Sequence, residues 1–151
     1  MRTLFVATIL AFSLLACKKE TEKAETEENI AGNGIEGTWE LSETYGGMSP
    51  YTEHPPGNGN LLQFDKTSYK IYTTLQVMQQ GSYQLTNDSV TNLNTCVLEP
   101  PSSSEPNRLV LDNEVFLRRS FSITGSTLSI ASGCIPLDGG VAKYRRVQAP
   151  K

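Results

Sequence analysis

From Ile35 onward the chain is built of short segments rich in Val, Ile, Thr, Tyr and Phe, separated by clusters of Gly, Asn, Asp and Ser. No segment of ten or more residues carries a convincing helical period. Branched and aromatic side chains suit a pleated surface, and the intervening residues supply turns. The rhythm predicts an all-β fold and argues against a parallel sheet, which needs helical crossovers. Strands are expected at Thr38 to Tyr45, Asn60 to Phe64, Ser68 to Thr74, Gln80 to Thr86, Ser89 to Leu93, Arg108 to Leu111, Val115 to Thr124, Thr127 to Ala131 and Val141 to Val147. Asp65-Lys66, Asn87-Asp88 and Gly125-Ser126 read as tight turns. Consecutive strands joined this way favour a meander. Closing it into a barrel removes its edges, while a two-sheet sandwich fits the same pattern. Two connections are long, Gly46 to Gly59 and Glu99 to Asn107, and long loops often carry function.

The opening residues have a different texture. Arg2 is followed by an apolar run, Leu4 to Ala16, whose only polar members are Thr8 and Ser13. The run is too short for a spanning helix and suits a signal-peptide core, so residues 1–16 are set aside from the fold. A buried N-terminal helix is the weaker alternative, because Cys17, Lys18 and Lys19 follow at once. Leu14-Leu15-Ala16-Cys17 resembles the lipobox of bacterial lipoproteins. The resemblance implies a diacylglycerol on the Cys17 sulfur and a further acyl chain, such as palmitate, on its nitrogen. Several chains anchor a protein stably in a bilayer where one does not. Residues 18–29 hold three lysines and five glutamates with no large apolar side chain, so 17–34 reads as a lipidated cysteine and flexible charged tether. Residues 35–151 are the folded domain. Lys18-Lys19-Glu20 and the following glutamates resemble the charged export signals of some surface lipoproteins. The expected location is the bacterial outer membrane, on its periplasmic or cell-surface face.

At "GIEGTWEL" the mature chain is similar to the lipocalins. Gly37-x-Trp39 resembles their Gly-x-Trp motif, and Tyr144-Arg145-Arg146 ends the last strand where they carry a basic residue lying across that tryptophan. "LLQFDKTSYKIY", "GSYQLTND" and "FSITGSTLSIAS" follow the rhythm of small lipocalin-like lipoproteins of Bacteroidetes-type bacteria. The resemblance implies an eight-stranded antiparallel up-and-down barrel, closed by Gly37, Trp39, Tyr144 and Arg146, with a cavity at the other end. Alternation puts Arg146 on the face of Tyr144 and Arg145 on that of Val147, so either arginine is open as the partner of Trp39. An eight-stranded interior is either filled by side chains or holds one small ligand. Leu41, Tyr45, Tyr69, Ile71 and Tyr83 are the candidates to line it.

Three cysteines are present, and with Cys17 lipidated, Cys96 and Cys134 form an even pair in an oxidising compartment. A disulfide is expected; two buried thiols are the alternative. His54, the sole histidine, sits in a Pro/Gly loop and lacks the company a metal site or catalytic triad needs. Glu40, Glu43, Asp65, Asp112, Glu114 and Asp138 are explained by strand ends and turns. Arg119 falls on the apolar parity of Val115, Leu117, Phe121 and Ile123, which a bulge or strand-end position explains; the alternative puts it inside the barrel. The net charge of −3 offers no basic face for nucleic acid. The reading is a monomeric, non-enzymatic, membrane-anchored binder of a small apolar ligand, with no cofactor and no metal. The alternative is a filled barrel acting as a protein- or glycan-binding surface module, for instance an inhibitor of an envelope enzyme.

Overall fold

The structure, a computed structural model, describes residues 34–114 and 118–149. Cys17, the lipobox and the tether as far as Asn33 lie outside the described residues. The elements are β1 (Gly37–Gly46), β2 (Ser49–Glu53), β3 (Leu61–Phe64), β4 (Ser68–Thr73), β5 (Gln76–Thr86), β6 (Val90–Thr91), β7 (Leu98–Glu99), β8 (Arg108–Leu111), β9 (Arg119–Thr124), β10 (Thr127–Ser132) and β11 (Gly140–Val147).

Eight of these strands close a barrel. The ladder runs β1-β3-β4-β5-β8-β9-β10-β11 and returns to β1 through an antiparallel pairing that spans Thr38↔Val147 to Tyr45↔Val141. Every pairing in it is antiparallel. The closing pair excludes an open sandwich. Inward residues from opposite walls meet in one core of Trp39, Leu62, Phe64, Tyr69, Leu109, Leu111 and Leu128, with Ile35 added from the entering chain.

Strand alternation sends the connections to the two ends in turn. The β1–β3, β4–β5, β8–β9 and β10–β11 connections share one end; β3–β4, β5–β8 and β9–β10 share the other, which also receives the chain at Gly34.

Four expectations change in detail. The first long loop contains β2, which pairs with the far half of β1 (Glu43↔Glu53, Thr44↔Thr52). Its sequence, SPYTE, is wholly exposed and carries a proline, so it offers no alternation to read. β5 starts at Gln76, four residues before the expected Gln80, because Thr74 and Leu75 make the turn with φ of 48° and 65°. That handedness suits a hairpin, but Asn or Gly usually supplies it. Ser89 to Leu93 contributes only Val90–Thr91, and outside the barrel. Asn92 ends the strand there: its Oδ1 accepts from the amides of Asn94 and Thr95 at 2.9 and 3.0 Å, which winds the chain into a turn. Finally, β9 begins at Arg119, and its ladder to β10 runs from Arg119 to Thr124 without a register shift. No bulge is needed to place Arg119; it is a strand-end residue. Val115 to Leu117 lie outside the described residues.

The β5–β8 connection is an excursion along the outer wall. It forms the β6–β7 ribbon (Val90↔Glu99, Thr91↔Leu98) and packs against β9. Arg118 Nη1 donates to Ser89 O at 2.9 Å, and Ile135 N donates to Leu93 O at 2.8 Å. Cys96 and Cys134 are bonded, Cα atoms 5.2 Å apart. The bridge therefore ties an excursion that leaves one end of the barrel to the β10–β11 connection at the other.

Candidate ligand cavity

The end that receives the chain is sealed by Trp39. Its side chain is fully buried, and Nε1 donates to Ile35 O at 2.7 Å. Trp39 and Arg146 are direct partners across β1 and β11, so their side chains share a face. The Arg146 guanidinium lies 4.2 Å from the indole centroid. Its Nη1 donates to Glu36 O at 2.9 Å and its Nη2 to Gly34 O at 2.6 Å, so one cation fastens both the ring and the incoming strand. Such a contact adds about 0.5–2 kcal/mol according to desolvation. Gly37 makes room for it: its φ is +130°, and a Cβ there would stand 2.9 Å from Arg146 Nη1. Tyr144 lies one inward step along β11 from Arg146 and lines the cavity above.

Arg145 faces the other way. Its Nε donates to Glu40 Oε2 at 2.9 Å and its Nη2 to His54 O at 3.1 Å. The loop after β2 folds over this pair. Asn58 Nδ2 reaches Leu41 O at 2.8 Å and Pro55 O at 2.6 Å, and the amides of Gly57 and Gly59 bond to the Glu40 carboxylate. His54 Nε2 lies 3.1 Å from Thr44 Oγ1, a structural contact. Desolvation raises the Glu40 pKa, but the Arg145 hydrogen bond and charge and the two amides outweigh it and hold the carboxyl below its ordinary value. The unfolded chain thus takes up this proton first as pH falls. The stability Glu40 contributes is full above its unfolded pKa near 4.5 and is lost as pH drops through the folded value. Glu40→Gln is expected to cost about 1.5–3 kcal/mol at neutral pH, the range for hydrogen bonds to a charged group, and to flatten the acid limb of a pH–stability curve.

The open end holds a cavity of about 300 Å³. Its aliphatic walls come from Leu41, Leu61, Leu62, Ile71, Leu109, Leu111 and Ile130, with Asn60, Tyr72, Thr73, Gln79, Arg119 and Tyr144 as polar groups. Of the five residues singled out from the sequence, Leu41 and Ile71 line it. The three tyrosines do not. Tyr45 packs its ring against Lys143 Nζ, 5.6 Å from the centroid. Tyr83 meets Phe64 edge-on, with ring centroids 4.9 Å apart.

Tyr69 is 1% exposed, and its hydroxyl donates to Asp112 Oδ2 at 2.6 Å while accepting from Gln79 Nε2 at 2.6 Å. Asp112 Oδ1 also takes the Ser82 amide at 3.0 Å, and Gly81 leaves the space: a Cβ there would stand 1.8 Å from that oxygen. Burial, then the Asp112 carboxylate, pushes the Tyr69 phenol up to about 12. The unfolded phenol ionises first as pH rises. Stability is therefore expected to be intact below pH 10 and to fall between 10 and about 12, by roughly 2–3 kcal/mol from this residue. Absorbance titration of the phenolates alongside alkaline unfolding checks this; a Tyr69 that ionises at the ordinary pH counts against it.

Arg119 sits at the mouth and lines the cavity, the placement that its apolar parity hinted at. Leu109, Leu111 and Ile130 were findable too, as inward positions of expected strands. Gln79 was not, because it lies in the part of β5 that read as a loop. Among the described residues no group of three or more His, Cys, Asp and Glu side chains is placed to hold a metal ion. Comparison with protein-family models, curated proteins and solved structures returns no match.

Proposed function

We propose that the protein is a lipocalin-like, membrane-anchored lipoprotein that binds a small, largely apolar ligand in its barrel and catalyses no reaction. The observation that carries this reading is the cavity of about 300 Å³ with aliphatic walls, at the lower end of the size of small-molecule sites. Trp39, completely buried, plugs the barrel below the cavity. A non-catalytic role is supported by the carboxylates. Glu40 and Glu43 are tied to Arg145 and Lys143, Asp112 to Tyr69, and Glu114 to Arg119, so none of these four carboxylates is free for general acid–base work.

The anchor is read from Leu14-Leu15-Ala16-Cys17, and the bilayer is the partner it implies, at the outer membrane on its periplasmic or cell-surface face. Native mass spectrometry of the monomer purified from envelopes tests the carrier role. A species co-purifying one-to-one is expected; an empty protein in repeated preparations would contradict the reading. Labelled palmitate is expected to enter the wild-type protein and not Cys17→Ser. Shaving intact cells with protease separates the two membrane faces.

A second reading has its own observation. Among the described residues, six of the eight exposed large apolar side chains, Met48, Tyr51, Leu75, Val77, Met78 and Leu137, lie on segments at the open end, and Val97 and Leu98 lie on the β5–β8 excursion. Exposed apolar surface marks contact sites, which suits a protein- or glycan-binding surface module. Specific capture of an envelope protein by a variant whose cavity has been filled would favour it.

A further inference from the structure

We propose that Arg119 anchors an acidic head group, so that the cavity takes a short single-chain amphiphile bearing a carboxylate in preference to a neutral apolar molecule. The inference rests on the reading of the cavity as a binding site and names the chemistry of what it binds.

Arg119 opens β9 at the cavity mouth, opposite Leu109 of β8, and its side chain lines the cavity. One arm of the guanidinium is engaged: Nη2 lies 3.2 Å from Glu114 Oε2 on the solvent side. The other arm is different. Nη1 is buried and has no hydrogen-bond partner. A buried, charged N–H donor without an acceptor is costly, and native proteins keep few of them. Leucine or glutamine would line a site for neutral molecules without that cost. A ligand carboxylate supplies the missing acceptor and the opposite charge together, and charge-assisted hydrogen bonds of this kind are about twice as strong as neutral ones.

The surrounding charges permit it. Glu114 is half exposed, so solvent weakens its competition for the guanidinium without abolishing it. Asp112 is held by the Tyr69 hydroxyl and the Ser82 amide. Gln79 and Tyr144 are also polar side chains of that lining, Tyr144 deeper than Arg119.

The tail then lies against Leu62, Ile71 and Ile130. At roughly 30 Å³ per heavy atom, the share of a water in its liquid, 300 Å³ holds about ten. That matches the ten carbons of decanoate, with the two carboxylate oxygens at the mouth beside Arg119, and is too small for a whole phospholipid.

Decanoate and decanol, matched in length and differing in charge, are the probes, titrated by calorimetry into the folded domain at neutral pH. Decanoate is expected to bind at least tenfold more tightly than decanol. Arg119→Gln is expected to erase that difference by weakening decanoate alone. Glu114→Gln, at an exposed site that leaves the fold intact, is expected to strengthen decanoate at least twofold and leave decanol unchanged. It decides the matter if Arg119→Gln fails to fold. Equal binding of the two probes, or a preference that survives Arg119→Gln, would overturn the role of Arg119 while leaving the carrier reading standing. Absence of binding by both probes would overturn the two together.

Discussion

Trp39→Ala is expected to destabilise the barrel by about 3–5 kcal/mol, the cost of truncating a large core aromatic. Stability in small domains totals about 5–15 kcal/mol, so the variant stands close to unfolding. The size of the effect has three sources. The indole is completely buried, its N–H is spent on Ile35 O, and its face carries the Arg146 cation. Removing it leaves a void against Leu62, its partner on β3, and releases the strand entry that Arg146 fastens through Gly34 and Glu36. Arg146→Gln keeps the indole in place and is expected to cost less, about 1–2 kcal/mol. Trp39 is the only tryptophan, so unfolding of both variants and the parent is followed by circular dichroism in denaturant. A Trp39→Ala midpoint matching that of Arg146→Gln would show that the indole does not hold this end of the barrel.

The second large effect comes from the Cys96–Cys134 bridge. It closes a loop with a sequence separation of 38. In the chain-entropy model a loop of that length is worth about 4 kcal/mol as an upper figure, or about 10–15 °C in Tm for a domain of this size. The position of the bridge shapes what is lost. The β6–β7 ribbon has one short ladder of its own, and its link to the β10–β11 connection consists of the disulfide and the Ile135–Leu93 hydrogen bond. Cys96→Ser with Cys134→Ser is therefore expected to lower Tm by that amount and to expose the Asn87 to Asn107 segment to proteolysis before the barrel wall. A double variant whose Tm and cleavage pattern match the parent would remove the bridge from any structural role.

The sequence made the barrel legible where local chemistry and tertiary need agreed. Gly125-Ser126 marked the β9–β10 turn, and the alternation in Thr38 to Tyr45 marked β1, because both were simultaneously turn or strand formers and correctly placed. It misled where the fold overrode local preference. Thr74-Leu75 carries no turn signature yet turns, since the ladder on either side and the Leu75 amide bonding to Gly59 O impose it. That hid the first four residues of β5, Gln76 to Gln79. The tyrosines are instructive for the site. Tyr69 has the polar tip that suits a ligand, but Asp112, 43 positions away, claims it, and nothing local announces that pairing. The choice between Arg145 and Arg146 needed the register itself: Arg146 stands opposite Trp39, and Arg145 opposite Glu40.

The barrel is proposed to bind a small ligand inside, not on its exposed apolar rim. The most direct measurement is the affinity of decanol for the parent domain and for Ile130→Trp, which projects an indole into the cavity from the middle of β10 and leaves the rim untouched. Saturable one-to-one binding by the parent is expected, with a loss of at least tenfold in the variant and both proteins folded by circular dichroism. Binding that is equal in the two proteins, or a parent that binds neither decanol nor decanoate, would contradict an internal site.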